Sequence, residues 1–395
     1  MSIPPSMSWR KINVLSSVTL SEELIIEILS LLKVKPLIRF KCVSKSWYSL
    51  ISNPFFIKKH LFKSSQNPHL SIFATNSSGN SIDTTLAPLP IQYLHEITDV
   101  NDITRYTDKE YHEVVGCCNG LICLLYISSI NNDYEYSFGF WNPATRSSSV
   151  KLGSFLISDK EHDSHFHFSL GYDNLTAKHK LVGFRTNEVR VFTLGDNVWR
   201  NIQCFPSYPS HWWYVGWNCG VYFNNSLNWF AYQNNVCWNH HLQFIEQFVI
   251  ISLDLGMETY TQMLLPQDFD EVHPHMPMVC VLMDCLCFSH HSDGYNFVIW
   301  KMREFAVEES WIKLLKFSYQ LDFSAAVSLF PLHVFQNGDT LIYARYQEQV
   351  IYYNRRDNAI DQTRTTDKIH RFFKLSNITS QFLPNHYVES LVSTC

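Results

Sequence analysis

TLSEELIIEILSLLKVKPLIRFKCVSKSWYSLISNPFFIKKHL, residues 19–61, carries a helical periodicity that no stretch after Lys63 sustains. Leu24, Ile25, Ile28, Leu29 and Leu32 recur at i, i+1, i+4, i+5 and i+8, which is one broad helical face. Thr19 and Glu22 stand at capping-box spacing, where a hydroxyl accepts from an early backbone N–H and a carboxylate reaches back. Lys33 and Lys35 are expected to close that helix at its negative end. Pro36 suits the first position of a second helix, and Leu37 and Phe40 continue its apolar face. Ser44 reads as the cap of a third, with Trp47, Leu50 and Ile51 on its inner side. Asn53-Pro54 stops that helix, and Phe55, Phe56 and Leu61 predict a short fourth. So small a module cannot bury all its apolar faces alone and calls for a partner or a neighbouring domain.

Ser64–Pro68 is a short polar linker, and beyond it the pattern changes. Short β-branched and aromatic runs follow, such as Val189–Leu194, Phe248–Leu253 and Thr340–Tyr343, punctuated by Asn, Gly, Asp and Pro. Anchoring on one aromatic or apolar position gives Trp141, Phe192, Leu253, Trp300 and Tyr353, roughly 50 to 60 residues apart, the period of a kelch-type blade. Cys118–Ile122, Val221–Phe223 with Leu227–Trp229, and Asp284–Cys287 align as preceding strands. Trp199, Tyr260 and Trp311 fall on following ones. With Leu70–Phe73 and Val388–Val392 completing the set, a six-bladed ring is expected, a closure that leaves only short sheet edges. The fold class is therefore α+β multidomain, a small all-α module followed by an all-β propeller-like domain.

At this point the sequence resembles a known family. Leu20-Ser21-Glu22-Glu23-Leu24, Val34-Lys35-Pro36-Leu37-Ile38-Arg39-Phe40 and Cys42-Val43-Ser44-Lys45-Ser46-Trp47 with Leu50-Ile51 resemble the successive signatures of an F-box. The departure is Ser21, where the family usually has a proline that pre-organises the first turn; its loss would weaken adaptor binding slightly. Gly116–Cys123, Trp141-Asn-Pro-Ala-Thr-Arg146, Leu170–Asp173, Val198–Arg200, Gly220–Phe223, Ser252–Leu255 and Ile299–Met302 with Glu309–Trp311 are similar to the plant F-box-associated domain. The resemblance implies an N-terminal extension (1–16), an F-box (17–62), a linker (63–68) and a β-propeller-like domain (69–395). It implies a substrate-recognition subunit of a Skp-cullin-F-box ubiquitin ligase, cytoplasmic or nuclear. Contact with a Skp-type adaptor, and through it a cullin, is carried over to Leu20, Glu23, Leu24, Ile28, Leu29, Pro36, Leu37, Val43, Trp47, Leu50 and Ile51. Ile25, Leu32, Phe40 and Cys42 are read as internal packing. In the β-domain, Trp141 and Trp311 are read as packing between blades, and Asn142-Pro143 and Asn119-Gly120 as turn residues.

Composition narrows the chemistry. The chain has 395 residues, 17% charged and 46% hydrophobic, with a net charge of -5, which argues against an electrostatic grip on nucleic acid. No window reads as a leader or a membrane span, so a soluble protein is expected. Eleven cysteines lack any C-x-x-C spacing and suggest free thiols in a reducing compartment. His162, His165 and His167, His273 with His275, and the pairs His240-His241 and His290-His291 lack closed-zinc spacing and read as exposed loop residues. No nucleophile elbow, HExxH helix or phosphate loop is present, so neither cofactor, metal nor intrinsic catalysis is expected. The run Trp212-Trp213-Tyr214 with Trp217 stands apart: it supplies either rigid anchors for a protein substrate or blade-to-blade packing. A receptor reading a sugar or small ligand, or an enzyme built on a propeller, are the alternative readings.

Overall fold

The computed structural model describes residues 20–66, 69–78, 81–90, 106–108, 112–131, 133–158, 166–185, 187–209, 220–232, 248–269, 277–292, 296–318, 329–344, 349–361 and 378–394. Four helices open it: α1 (Glu22–Ser30), α2 (Val34–Lys41), α3 (Lys45–Ser52) and α4 (Pro54–Ser64). Ser44 caps α3 as expected, its Oγ accepting from the Trp47 N–H at 3.1 Å. Asn53 ends α3 and caps α4, accepting from the Phe55 N–H at 2.8 Å. The start of α1 differs from expectation. Its cap is Ser21, whose Oγ accepts from the Leu24 N–H at 3.4 Å, while Thr19 lies outside the described residues. The serine that departs from the family's proline thus satisfies one of the helix's orphan donors itself. Lys33 and Lys35 do not close α1, which ends at Ser30; they belong to the start of α2. Pro36 is third in α2 rather than first, still within the turn whose N–H groups have no helical partner.

Among the described residues the remainder forms six antiparallel sheets. Blade I holds β1 (His69–Ser78), β2 (Ser81–Pro90) and β3 (Tyr106–Asp108). Blade II holds β4 (His112–Cys118), β5 (Leu121–Ile130), β6 (Asp133–Asn142), β7 (Ser147–Ser148) and β8 (Leu152–Ser158). Blade III holds β9 (His167–Asp173), β10 (Lys178–Arg185), β11 (Glu188–Thr193) and β12 (Trp199–Ile202). Blade IV holds β13 (Tyr208–Pro209), β14 (Val221–Phe223), β15 (Ser226–Tyr232), β16 (Phe248–Asp254) and β17 (Tyr260–Leu264). Blade V holds β18 (Met278–Leu282), β19 (Cys285–Ser292), β20 (Asn296–Met302) and β21 (Trp311–Ser318). Blade VI holds β22 (Leu329–Val334), β23 (Thr340–Ala344), β24 (Gln349–Asn354) and β25 (Ala359–Asp361). The last strand, β26 (Ile378–Tyr387), pairs with β1 and supplies blade I with its first position, so the chain's late residues close the ring. The closing strand is therefore not Val388–Val392, which follows β26 as a segment without strand pairing.

The repeat has a physical basis. The five anchors Trp141, Phe192, Leu253, Trp300 and Tyr353 all sit on the third strands of their blades. Each third strand ends in a turn whose fifth residue has a left-handed backbone: Arg146, Asn197, Glu258, Ala306 and Asn358. Where the turn opens on Asx, the side chain holds it. Asn142 accepts from the Ala144 and Thr145 N–H groups, Asp254 from Gly256 and Met257, and Asn354 from Arg356 and Asp357. The fourth strand then begins with an aromatic that ties its blade to the one before. Trp199 Nε1 donates to the Gly153 carbonyl at 2.7 Å, Tyr260 Oη to Gln203 at 2.6 Å and Trp311 Nε1 to Leu264 at 3.1 Å. Trp141 joins Tyr387 of the closing strand in the cluster between blades I and II.

Two further contacts weld neighbouring blades. Lys180, in the interface of blades III and IV, lies 3.0 Å from both Asp173 Oδ2 and Glu258 Oε1, and Arg200 pairs with Glu258 from outside. Burial by itself would raise the Asp173 carboxyl; hydrogen bonds from Thr176, Lys180 and Leu175, with the lysine's charge, hold it below its usual range. His179 is buried between blades II and III, its Nε2 donating to the Cys118 carbonyl at 3.2 Å. Burial pushes its pKa from 6.5 down to about 4, so it is neutral in the fold. The unfolded chain takes up this proton first as pH falls, so its contribution to stability, intact above pH 6.5, drains away towards pH 4. Loss of about 3 kcal/mol across that window is expected in urea melts, with a flatter profile in His179→Gln.

His290 and His291 are not exposed loop residues: both are buried on β19. Trp300 Nε1 donates to His290 Nε2 at 3.2 Å and the Phe269 ring stands edge-on at 4.7 Å, so aromatic neighbours shelter what local sequence presents as polar.

Candidate adaptor-docking site

The four-helix module has a covered side and an open side. Inward, Leu29, Val34, Leu37, Ile51 and Phe56 form its core, with Ile25, Leu32, Phe40, Trp47 and Leu50 packed around them. Outward, α1 and its C-cap residue present Leu24, Ile28 and Leu31 at i, i+4 and i+7, exposed by 52, 51 and 70%. Leu20 just before the helix is exposed as well. The turn between α2 and α3 adds exposed Val43, with Ile38 and Tyr48 on the flanking helices. Exposed apolar side chains repeating on one stripe are a liability unless something covers them.

The residues expected to contact an adaptor therefore divide. Leu20, Glu23, Leu24, Ile28 and Val43 are exposed; Pro36, Trp47 and Leu50 are half-buried; Leu29, Leu37 and Ile51 lie in the core. Trp47 stands edge-on to Phe40 with ring centroids 5.1 Å apart, so it supports the module from within. Cys42, expected inside, is exposed because it follows the last turn of α2. Leu31 was not anticipated, although its spacing from Leu24 and Ile28 is the signal that reveals it. Trp212, Trp213, Tyr214 and Trp217 lie outside the described residues, as do His162, His165, His240, His241, His273 and His275.

The covered side is built by the propeller. Asn142 Nδ2 donates to the Ser390 carbonyl at 3.1 Å and to Val392 at 2.8 Å, while the Ala144 N–H donates to Tyr387 Oη at 3.1 Å. Gly120, φ +81°, sits where a Cβ would come within 2.2 Å of Ser390 Oγ, so the Asn119-Gly120 turn needs glycine for its backbone and for this close approach. Held there, residues 388–394 enter the helical module. Leu391 joins its core, Ala144 packs beside it, and Glu389 Oε2 accepts from the Val34 N–H at 3.2 Å. Lys33, the cap residue of α2, makes no side-chain cap bond, so Glu389 fills that role from 355 positions away.

These contacts fix which end of the propeller meets the helices. In an antiparallel meander the first-to-second and third-to-fourth turns lie at one end, and the second-to-third connections at the other. Gly120 lies in a first-to-second turn and Asn142–Ala144 in a third-to-fourth turn, so β5 and β10 end, and β6 and β11 begin, at the end of the propeller remote from the module.

Among the described residues no group of three or more His, Cys, Asp and Glu side chains could hold a metal ion. Burial pushes the Cys287 thiol up to about 12 and raises Cys118 and Cys280, so these three thiols stay protonated at neutral pH. No helix among the described residues is long and apolar enough to cross a membrane.

Fold and site together define an F-box module carried on a propeller. Residues 19–59 match the F-box domain and residues 70–394 the F-box associated beta propeller domain, so the chain belongs to the F-box proteins with an F-box-associated propeller. An F-box/kelch-repeat protein of Arabidopsis thaliana is 27% identical over 324 residues, 76% of this chain and 80% of that protein. The F-box protein CPR1 of the same plant is 26% identical over 322 residues, covering 75% and 72%. TolB from Acinetobacter baumannii aligns at 8% identity and a TM-score of 0.37 over 85% of this chain and 74% of that one.

Proposed function

We propose that the chain is the substrate-recognition subunit of a Skp-cullin-F-box ubiquitin ligase, working in the cytoplasm or nucleus. The observation that carries this reading is the open stripe Leu24, Ile28 and Leu31, with Leu20 and Val43, on a module whose other side the propeller already covers. Leu20, Glu23, Leu24, Ile28 and Val43 touch the Skp-type adaptor, Pro36, Trp47 and Leu50 border the contact, and Leu29, Leu37 and Ile51 support it from the core. The adaptor links the chain to a cullin. The propeller takes a protein substrate, and Trp212, Trp213, Tyr214 and Trp217 are the candidate anchors for it by their residue type. The chain contributes proximity: it raises the local concentration of an acceptor lysine, and bond-making belongs to the partners.

Gel filtration of the full chain mixed with a recombinant plant Skp-type adaptor tests the reading. A single co-eluting complex is expected. A natively melting chain that elutes apart from the adaptor at micromolar concentrations overturns it.

A further inference from the structure

We infer that residues 388–394 couple the two domains, so that the helical module reaches its adaptor-competent form only when the propeller ring is closed. The inference rests on the adaptor-docking reading for its functional half. Its structural half rests on the route of the chain. Helix α4 leads into β1, β1 is paired by β26, and the residues directly after β26 return to the helices. The module therefore depends on both sides of the ring's closure.

What the segment supplies is specific. Leu391, 6% exposed, completes the core that Leu37 and Ile51 share. Glu389 caps α2, placing a carboxylate at the positive end of a helix whose own cap residue is a lysine. Its other oxygen lies 4.0 Å from His69 Nε2, at the start of the strand that β26 pairs. The seat is equally specific: Asn142 satisfies two carbonyls of the segment with one amide, and Gly120 leaves room for Ser390. An open ring would leave β26 unpaired with β1 and the segment without its fixed departure point. Helix α2 would then lose its cap, and the core its leucine. Since α2 and the turn after it carry Leu37 and Val43, adaptor binding would weaken without any change in the docking surface's own sequence.

The test uses the full chain with Leu391→Asp, Glu389→Gln and Asn142→Ala, and Leu391→Met as the conservative control. Amide exchange across α2 is measured alongside adaptor affinity, with exchange in β10, β16 and β20 reporting the propeller. In Leu391→Asp and Asn142→Ala, α2 exchange is expected to rise about tenfold or more, with a matching fall in affinity and protected blade strands. Glu389→Gln should give a smaller rise, about threefold, and Leu391→Met should stay near wild type. Exchange in α2 and affinity both within about twofold of wild type in Leu391→Asp overturn the coupling. Should the wild-type chain ignore the adaptor, the docking reading fails, and the α2 exchange rates alone still decide whether the segment orders the helix.

Discussion

The double substitution Leu24→Asp with Ile28→Asp is expected to weaken adaptor capture by about a thousandfold while leaving the melting temperature nearly unchanged. Both side chains are more than half exposed, so a carboxylate at either position meets water in the free protein and costs the fold little. In the complex the same carboxylates would be desolvated against an apolar partner. Losing two central contacts of about 2 kcal/mol each corresponds to that factor. Titration calorimetry against the adaptor measures it, with thermal unfolding as the control. A change in affinity of less than about tenfold would mean that α1 does not form the centre of the contact. Trp47→Ala is a poorer probe, since its ring packs on Phe40 and its loss damages module and surface together.

Lys180→Met should cost the propeller about 3–5 kcal/mol, the usual penalty for leaving one buried charge of a pair uncompensated. Asp173 is fully buried, and Lys180 answers both it and Glu258. Glu258 keeps Arg200 when the lysine goes, whereas Asp173 keeps only the neutral hydrogen bonds from its own turn and the Thr176 hydroxyl. The pair Lys180→Met with Asp173→Asn should therefore recover a large part of the loss, because the amide carries no charge to strand. Chemical denaturation of the three proteins at neutral pH makes the comparison. A single substitution costing under about 1 kcal/mol would show that water or rearrangement replaces the ammonium group.

Much of this architecture was legible because local chemistry and global fold agree. Ser44 and Asn53-Pro54 bound α3 and α4 by the same hydrogen bonds that make these residues good caps. The anchors from Trp141 to Tyr353 mark third strands because each must face a neighbouring blade and precede a turn of fixed length. Other features lay beyond the sequence for a common reason, that they depend on residues far apart along the chain. Periodicity put Leu24, Ile28 and Leu29 on one helical face, but only the surrounding helices decide that Leu29 is inside while Leu24 and Ile28 are not. Val388–Val392 has the composition of a strand, and nothing local says that its partners are Asn142, Gly120 and Val34. The Asn-Pro and Asn-Gly turns are turns, as read, and in blade II they also form a socket.

The order of synthesis gives the closing strand one more consequence. Ribosomes deliver the helices first and β26 after all five complete blades, so throughout elongation blade I offers β1 with an unpaired edge. Such an edge invites pairing with a neighbouring nascent chain, and the helices meanwhile lack Leu391 and Glu389. Production of this protein should therefore lean on chaperones that shield the emerging polypeptide until β26 has been made, more heavily than its finished stability would suggest.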